Sequence, residues 1–198
     1  MFRHRRNRVF REVMKPGEHD KILDVGGYPE CWDDMGCRSH VTCLNLQFSS
    51  VPYDETRFCC IKGDGRSLTC ADRSFDIVFS NSVIEHVGTF EDQKKFASEI
   101  RRVGKRYWVQ SPNRRFFIEP HLLAPFVHYL PRRIQRMFIR PFTLWGLFAK
   151  PSSAEIDAYF SETRLLTLAE MRSLFPDAII YEERFLFMLK SFVAYKTA

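Results

Sequence analysis

From Lys21 onward, short apolar runs alternate with polar or helical stretches. Lys21–Val25 (KILDV) reads as a buried strand that stops at Gly26-Gly27. Val41–Leu46 (VTCLNL) reads as a second, Phe58–Lys62 as a third closed by Gly63-Asp64-Gly65, and Phe75–Ser80 (FDIVFS) as a fourth. Between the first two, Pro29–Gly36 suits one short helix with proline in its first turn. Phe96, Ile100 and Val103 fall at i, i+4 and i+7, which predicts an amphipathic helix over Glu91–Arg102 ended by Gly104 in the usual C-terminal manner. A fifth strand, Arg106–Gln110, is halted by Ser111-Pro112-Asn113. Thr167–Phe175 reads as a helix, and Ala178–Phe185 and Ser191–Lys196 as two last strands.

Strands separated by helical or loop connections build a mostly parallel sheet with helices on both faces. The two last strands are too close in sequence for a parallel crossover and should form an antiparallel hairpin. The expectation is therefore an α/β, Rossmann-like fold of seven strands. Its 198 residues suit one domain over 21–198, preceded by a basic helix or extension over 1–20 and elaborated by a basic, aromatic insertion over 113–150.

Charge sharpens this division. Residues 1–15 carry six Lys/Arg against Glu12, and residues 113–150 carry seven against Glu119, while the rest of the chain is net acidic. Only these two segments suggest an anionic partner. The N-terminus lacks the apolar stretch of a secretory signal, and no apolar run approaches the ~20 residues of a membrane span. The expectation is a cytoplasmic protein, with membrane association left open. Six cysteines form no CxxC pair, which favours reduced thiols over a disulfide framework or a structural zinc, and no metal site is expected.

Ligands of such sheets sit beyond the carboxyl ends of the strands. There the chain places Asp24-Val25-Gly26-Gly27, Asn45, Gly63-Asp64-Gly65 and Ser80-Asn81. A dinucleotide site needs GxGxxG to cradle a pyrophosphate. Here Tyr28, Pro29 and Glu30 follow the glycines, and a carboxylate would repel that group. S-adenosylmethionine carries no phosphate, and its sulfonium tolerates nearby carboxylates.

At these residues the chain resembles the class I methyltransferases, specifically the methyltransferase type 11 group. The resemblance runs from about Lys21 to Lys196 and is most specific in FDIVFSNSVIEHV (75–87) and EIRRVGKRYWVQSPN (99–113). KILDVGG resembles the first cofactor motif and IKGDGRSL (61–68) the adenine-side motif. The resemblance implies a seven-stranded sheet with one antiparallel strand and S-adenosyl-L-methionine as cofactor. It implies that Asp24 and Gly26 shape the methionine end of the pocket, that Gly27 permits close approach, and that Asp64 and Gly65 hold the adenine. Ser80 and Asn81 would end the fourth strand under the cofactor. Asn45 stands where the family usually has an acid for the ribose. Tyr28 and Glu30 depart from the glycine-rich form.

Methyl transfer needs a base only when the acceptor must shed a proton. His86, just after the fourth strand, is the candidate; the plainer reading is that Glu85 and His86 brace a short helix. In the insertion, Glu119, His121 and His128 are candidate acceptor-side residues that could equally be structural. On a helix from Pro131, Arg132, Arg133, Arg136 and Arg140 share one arc beside Ile134, Met137 and Phe138. Three readings stand: a lid closing over the acceptor, a peripheral membrane contact through 131–148, and a self-association surface. The expected activity is methyl transfer to a small or amphiphilic acceptor, such as a lipid-linked one or a sugar. The alternatives are a catalytically inactive binding protein of the same fold and a nucleic-acid-binding module using the basic segments, although no nucleic-acid motif is present. Oligomeric state is not legible.

Overall fold

The computed structural model describes residues 2–48, 52–119 and 124–197. Seven strands form one sheet: β1 (Lys21–Val25), β2 (His40–Asn45), β3 (Phe58–Lys62), β4 (Phe75–Asn81), β5 (Gly104–Pro112), β6 (Ile179–Phe185) and β7 (Met188–Lys196). Their order is β3-β2-β1-β4-β5-β7-β6, with β7 alone antiparallel to its neighbours. The order reverses between β1 and β4, which places the crevice of such folds there.

Strand alternation divides the core. Leu23, Val25, Val78, Tyr107 and Val109 face α2 (Phe90–Val103) and α6 (Leu168–Leu174). Ile22, Ile77, Phe79 and Trp108 face the other way, onto α1 (Phe2–Met14) and a 3-10 helix at Pro29–Met35. The basic N-terminal helix is part of this second layer. Phe10 is fully buried, and its ring meets those of Trp32, Phe79 and Trp108 edge-on at 6.2, 5.1 and 5.5 Å.

Element boundaries move where pairing overrides local signals. β5 runs through Ser111 and Pro112, which pair with Phe192 and Ser191 rather than breaking the strand. Gly104 ends α2 in an extended conformation and opens β5 directly; a Cβ there would lie 2.7 Å from Val78 Cγ2. It is therefore a close-approach glycine, not a left-handed cap. β7 begins at Met188, so the hairpin turn is only Leu186-Phe187.

After β5 the chain builds a separate small unit. It comprises a two-residue ladder (118–119 with 124–125), α3 (Arg132–Phe142), α4 (Leu144–Ala149) and α5 (Ser153–Glu162). Val127, Ile139 and Ile156, with Trp145, Tyr159 and Phe160, form its own core. Gly146 allows α4 to abut α3, since a Cβ there would fall 1.9 Å from the Ile139 carbonyl.

Candidate active site

A cleft of about 330 Å³ opens at the carboxyl ends of β1 to β4. Gly26, Asn45, Asp64, Gly65 and His86 line it, so the topology brings five of the residues singled out in the sequence to one place. Backbone bonds lock its walls: Gly26 N–H to Leu44 C=O at 2.7 Å and Gly63 N–H to Asn45 C=O at 3.0 Å. Gly26 has φ +87°, and a Cβ would lie 2.4 Å from Val83 Cγ2; one on Gly65 would lie 2.7 Å from the Phe96 ring. A side chain at either position would push Val83 or Phe96 out of the cleft wall.

Asn45 ties the two central strand ends together. Its amide donates to the Gly26 carbonyl at 3.2 Å, and its side-chain oxygen accepts from Leu46 N–H at 2.8 Å. An acid there could make only the second of these bonds. Asp64 is held by Arg66, whose Nε and Nη2 donate to its oxygens at 2.7–3.0 Å. That pairing holds its carboxyl below the usual carboxylate range.

Four of the cofactor-side candidates, Asp24, Gly27, Ser80 and Asn81, lie beside the cleft rather than on it. Asp24 is buried on the α1 side of the sheet and accepts from Trp32 Nε1 at 2.7 Å. Burial pushes its pKa up to about 7. It packs so closely beneath Gly27 that a Cβ on that glycine would fall 1.8 Å from Asp24 Oδ2. Ser80 is buried and donates to the Val25 carbonyl at 3.0 Å, bracing β4 on β1. Asn81 turns to the α1 face and accepts from Arg6 Nη1, so its side chain does not enter the cleft. His86 sits on a 3-10 turn (Ile84–His86), with Nδ1 3.4 Å from Thr163 Oγ1. Glu85 beside it is fully buried and accepts from Ser111 Oγ at 3.3 Å.

Two further cavities adjoin. One of about 360 Å³ is walled by Phe2, Phe116, Ile118 and Phe185, with Arg6, Gln110 and Lys190 as its polar groups. Ser82 lines both this cavity and the first cleft. It has φ +56° and donates to Gln110 Oε1 at 2.7 Å. The other cavity, about 430 Å³, lies past His86 between Gly88–Phe90 and the insertion, and includes Arg114, Arg132 and Arg164. Sequence reasoning missed Ser82, because nothing local marks a serine for positive φ, and missed Lys190, a cation half inside an aromatic wall. His121 lies outside the described residues, and the side chains of Glu119 and His128 are not described either.

A family model described as a methyltransferase domain matches residues 24–107, from the end of β1 to the start of β5, the part of the sheet that carries the cleft. No curated protein matches the chain. Among solved structures it is similar to a S-adenosylmethionine-dependent methyltransferase from Methanosarcina mazei, at 14% identity and a TM-score of 0.55 over 94% of this chain and 95% of that one. It is similar to a putative zinc-dependent alcohol dehydrogenase from Rhodobacter sphaeroides, at 13% identity and 0.58 over 96% and 88%. A putative O-methyltransferase from Nostoc punctiforme aligns at 11% identity and 0.56 over 98% of this chain; the chain spans 55% of that protein. At such identities these neighbours establish the fold. The chain has the Rossmann-like fold of the methyltransferases, and its residues 24–107 match a methyltransferase domain, which supports an S-adenosylmethionine-dependent methyltransferase.

Proposed function

We propose that the chain methylates a nucleophile on a small amphiphilic acceptor seated in the aromatic cavity beside the cofactor cleft. The carrying observation is Ser82, the one residue described as lining both spaces. The cleft suits the methyl donor because a Cβ on Gly26 or Gly65 would displace the side chains of Val83 or Phe96 that wall it, and because it is a cleft of cofactor size without a phosphate cradle. S-adenosylmethionine supplies an electrophilic methyl group on a sulfonium. In this reading Gly26 gives backbone approach at its aminoacyl end, Asn45 faces the ribose, and Asp64 and Gly65 face the adenine.

The cavity's chemistry supports the acceptor class. Phe2, Phe116 and Phe185 offer apolar walls, while Lys190 offers positive charge at one side, Arg6 being paired with Glu183. Lys190 stands 3.9 Å over the Phe2 ring, and burial lowers its pKa from the usual ammonium range. An acceptor with an apolar body and an anionic group fits both features. Much of the rate would come from orientation and from excluding water between these walls. In this reading His86, on the cofactor cleft with Thr163 beside its ring, would take the proton of an acceptor group that reaches into that cleft past Ser82.

Calorimetric titration with S-adenosylmethionine and S-adenosylhomocysteine, with NAD as control, tests the donor half. Saturable binding lost in Asp64→Ala is expected, and no binding below millimolar would overturn the reading. A screen of amphiphilic acceptors against Phe116→Ala tests the other half, since that variant should lose turnover while keeping the donor. The inactive-scaffold alternative predicts donor binding with no turnover on any acceptor.

A further inference from the structure

The insertion's amphipathic helix is turned inside out. On α3, Ile139 is fully buried, while Ile134, Met137, Phe138 and Phe142 are exposed, Met137 by 74%. By the 3.6-residue period these four fall within about 140° of arc, with Ile134 and Met137 opposite Ile139 and Phe142 nearest to it. On α4, Leu144, Leu147 and Phe148 recur at i, i+3 and i+4, and all three are exposed, Phe148 by 84%. These α3 and α4 side chains point outward. A contiguous apolar surface of this kind marks a contact site.

What lies around the patch selects its occupant. Arg133 and Arg140 flank the apolar stripe of α3, Lys150 follows α4, and no acidic residue occurs between Glu119 and Glu155. Arg133 has no ion pair among the described residues, whereas Arg136 is paired with Asp157. A second copy docked face to face would bring these cations together. An anionic bilayer surface complements them, accepting the apolar side chains among its acyl chains and the cations at its headgroups.

Topology puts the active site at the same end. β6 runs parallel to β5, so its tip emerges on the edge from which the insertion departs. Ring contacts continue from Phe185 through Phe116 and Phe117 to Phe126, at 6.3, 4.7 and 6.0 Å. The aromatic cavity thus opens beside exposed apolar residues. No helix among the described residues is long and apolar enough to cross a membrane, so the contact would be peripheral.

We propose that α3 and α4 dock this enzyme onto an anionic lipid surface through Met137, Phe142, Leu147 and Phe148, with Arg133 and Lys150 meeting headgroups. The full chain is sedimented with phosphatidylcholine vesicles with and without phosphatidylglycerol. Binding to the phosphatidylglycerol vesicles, weakened by salt, is expected. Met137→Glu/Phe148→Glu should abolish it, and Arg133→Gln/Lys150→Gln should weaken it by on the order of tenfold. Both variants alter exposed side chains and should bind S-adenosylhomocysteine as the parent does, which separates this proposal from failure of the cofactor reading. Three outcomes would overturn it: no vesicle binding at low salt, undiminished binding by both variants, or a dimer or RNA complex lost in the same variants without vesicle binding.

Discussion

Arg6 and Glu183 lie 177 residues apart in sequence and are joined by two hydrogen bonds of 3.1 Å from Arg6 Nε. Both side chains are almost wholly buried, and the pair extends to Asn81 and to Ser191, whose hydroxyl donates to Glu183 at 2.5 Å. It fastens the first helix across the floor of the aromatic cavity to the far edge of the sheet. Removing one partner leaves a buried charge stranded, which costs about 3–5 kcal/mol. Arg6→Leu should lose that much in urea denaturation, and Arg6→Leu/Glu183→Leu should recover most of it. Arg136→Ala, which breaks an exposed pair with Asp157, should cost no more than about 1 kcal/mol. Equal losses for the two single variants would show that the N-terminal pair is not an anchor.

Asp24 makes stability depend on pH in an unusual direction. Its folded pKa is raised from 3.8 to about 7 by burial. Between those values the folded chain holds a proton that the unfolded chain has released, so stability falls as pH rises through that window. Below 3.8 both states are protonated and the penalty vanishes. Above about 7 it is complete, on the order of a few kcal/mol. Asp24→Asn keeps an oxygen for Trp32 Nε1 and carries no charge. The stability difference between variant and parent should grow from pH 4 to about pH 7 and then level off. A constant difference across a denaturation series would contradict the burial argument.

Gly26 bears directly on the donor site. Its φ of +87° is strained for any L side chain, and the added Cβ would sit 2.4 Å from Val83 Cγ2. Gly26→Ala should reduce S-adenosylhomocysteine affinity by roughly tenfold or more, since about 1.4 kcal/mol suffices for that factor. Gly17 is the control, because a Cβ there meets nothing closer than 3.9 Å. Unchanged affinity in Gly26→Ala would remove this loop from the binding site.

The sheet was legible because its signals are local. KILDV and FDIVFS are near-continuous buried runs, as strands of a parallel sheet covered on both faces are, and glycine or proline marks many of the connections. The cleft was legible for the same reason: topology delivers strand ends to one place, and Gly26, Asn45, Asp64 and Gly65 are strand-end residues. Direction was not legible. Asn81 follows Ser80 by one residue and therefore faces the opposite side of the sheet, where Arg6 claims it. The insertion's outward apolar face was hidden too, because a hydrophobic period says that a face exists and not what covers it. α5 had a signal that went unread, the capping box from Ser152 to Glu155.

The tip of the β6–β7 hairpin combines strain with exposure. Leu186 and Phe187 have φ of +46° and +68°, in a two-residue turn that ordinarily takes Asn-Gly. Each left-handed L residue costs roughly 1–2 kcal/mol, and Phe187, 94% exposed, returns no burial for it. A turn chosen for folding alone would not carry these side chains. Leu186→Asn/Phe187→Gly should therefore stabilise the chain by about 1–2 kcal/mol in thermal or urea unfolding, with donor binding unchanged, because neither residue lines the cofactor cleft. If the double variant is no more stable than the parent, the apolar tip is held by contacts that offset its strain.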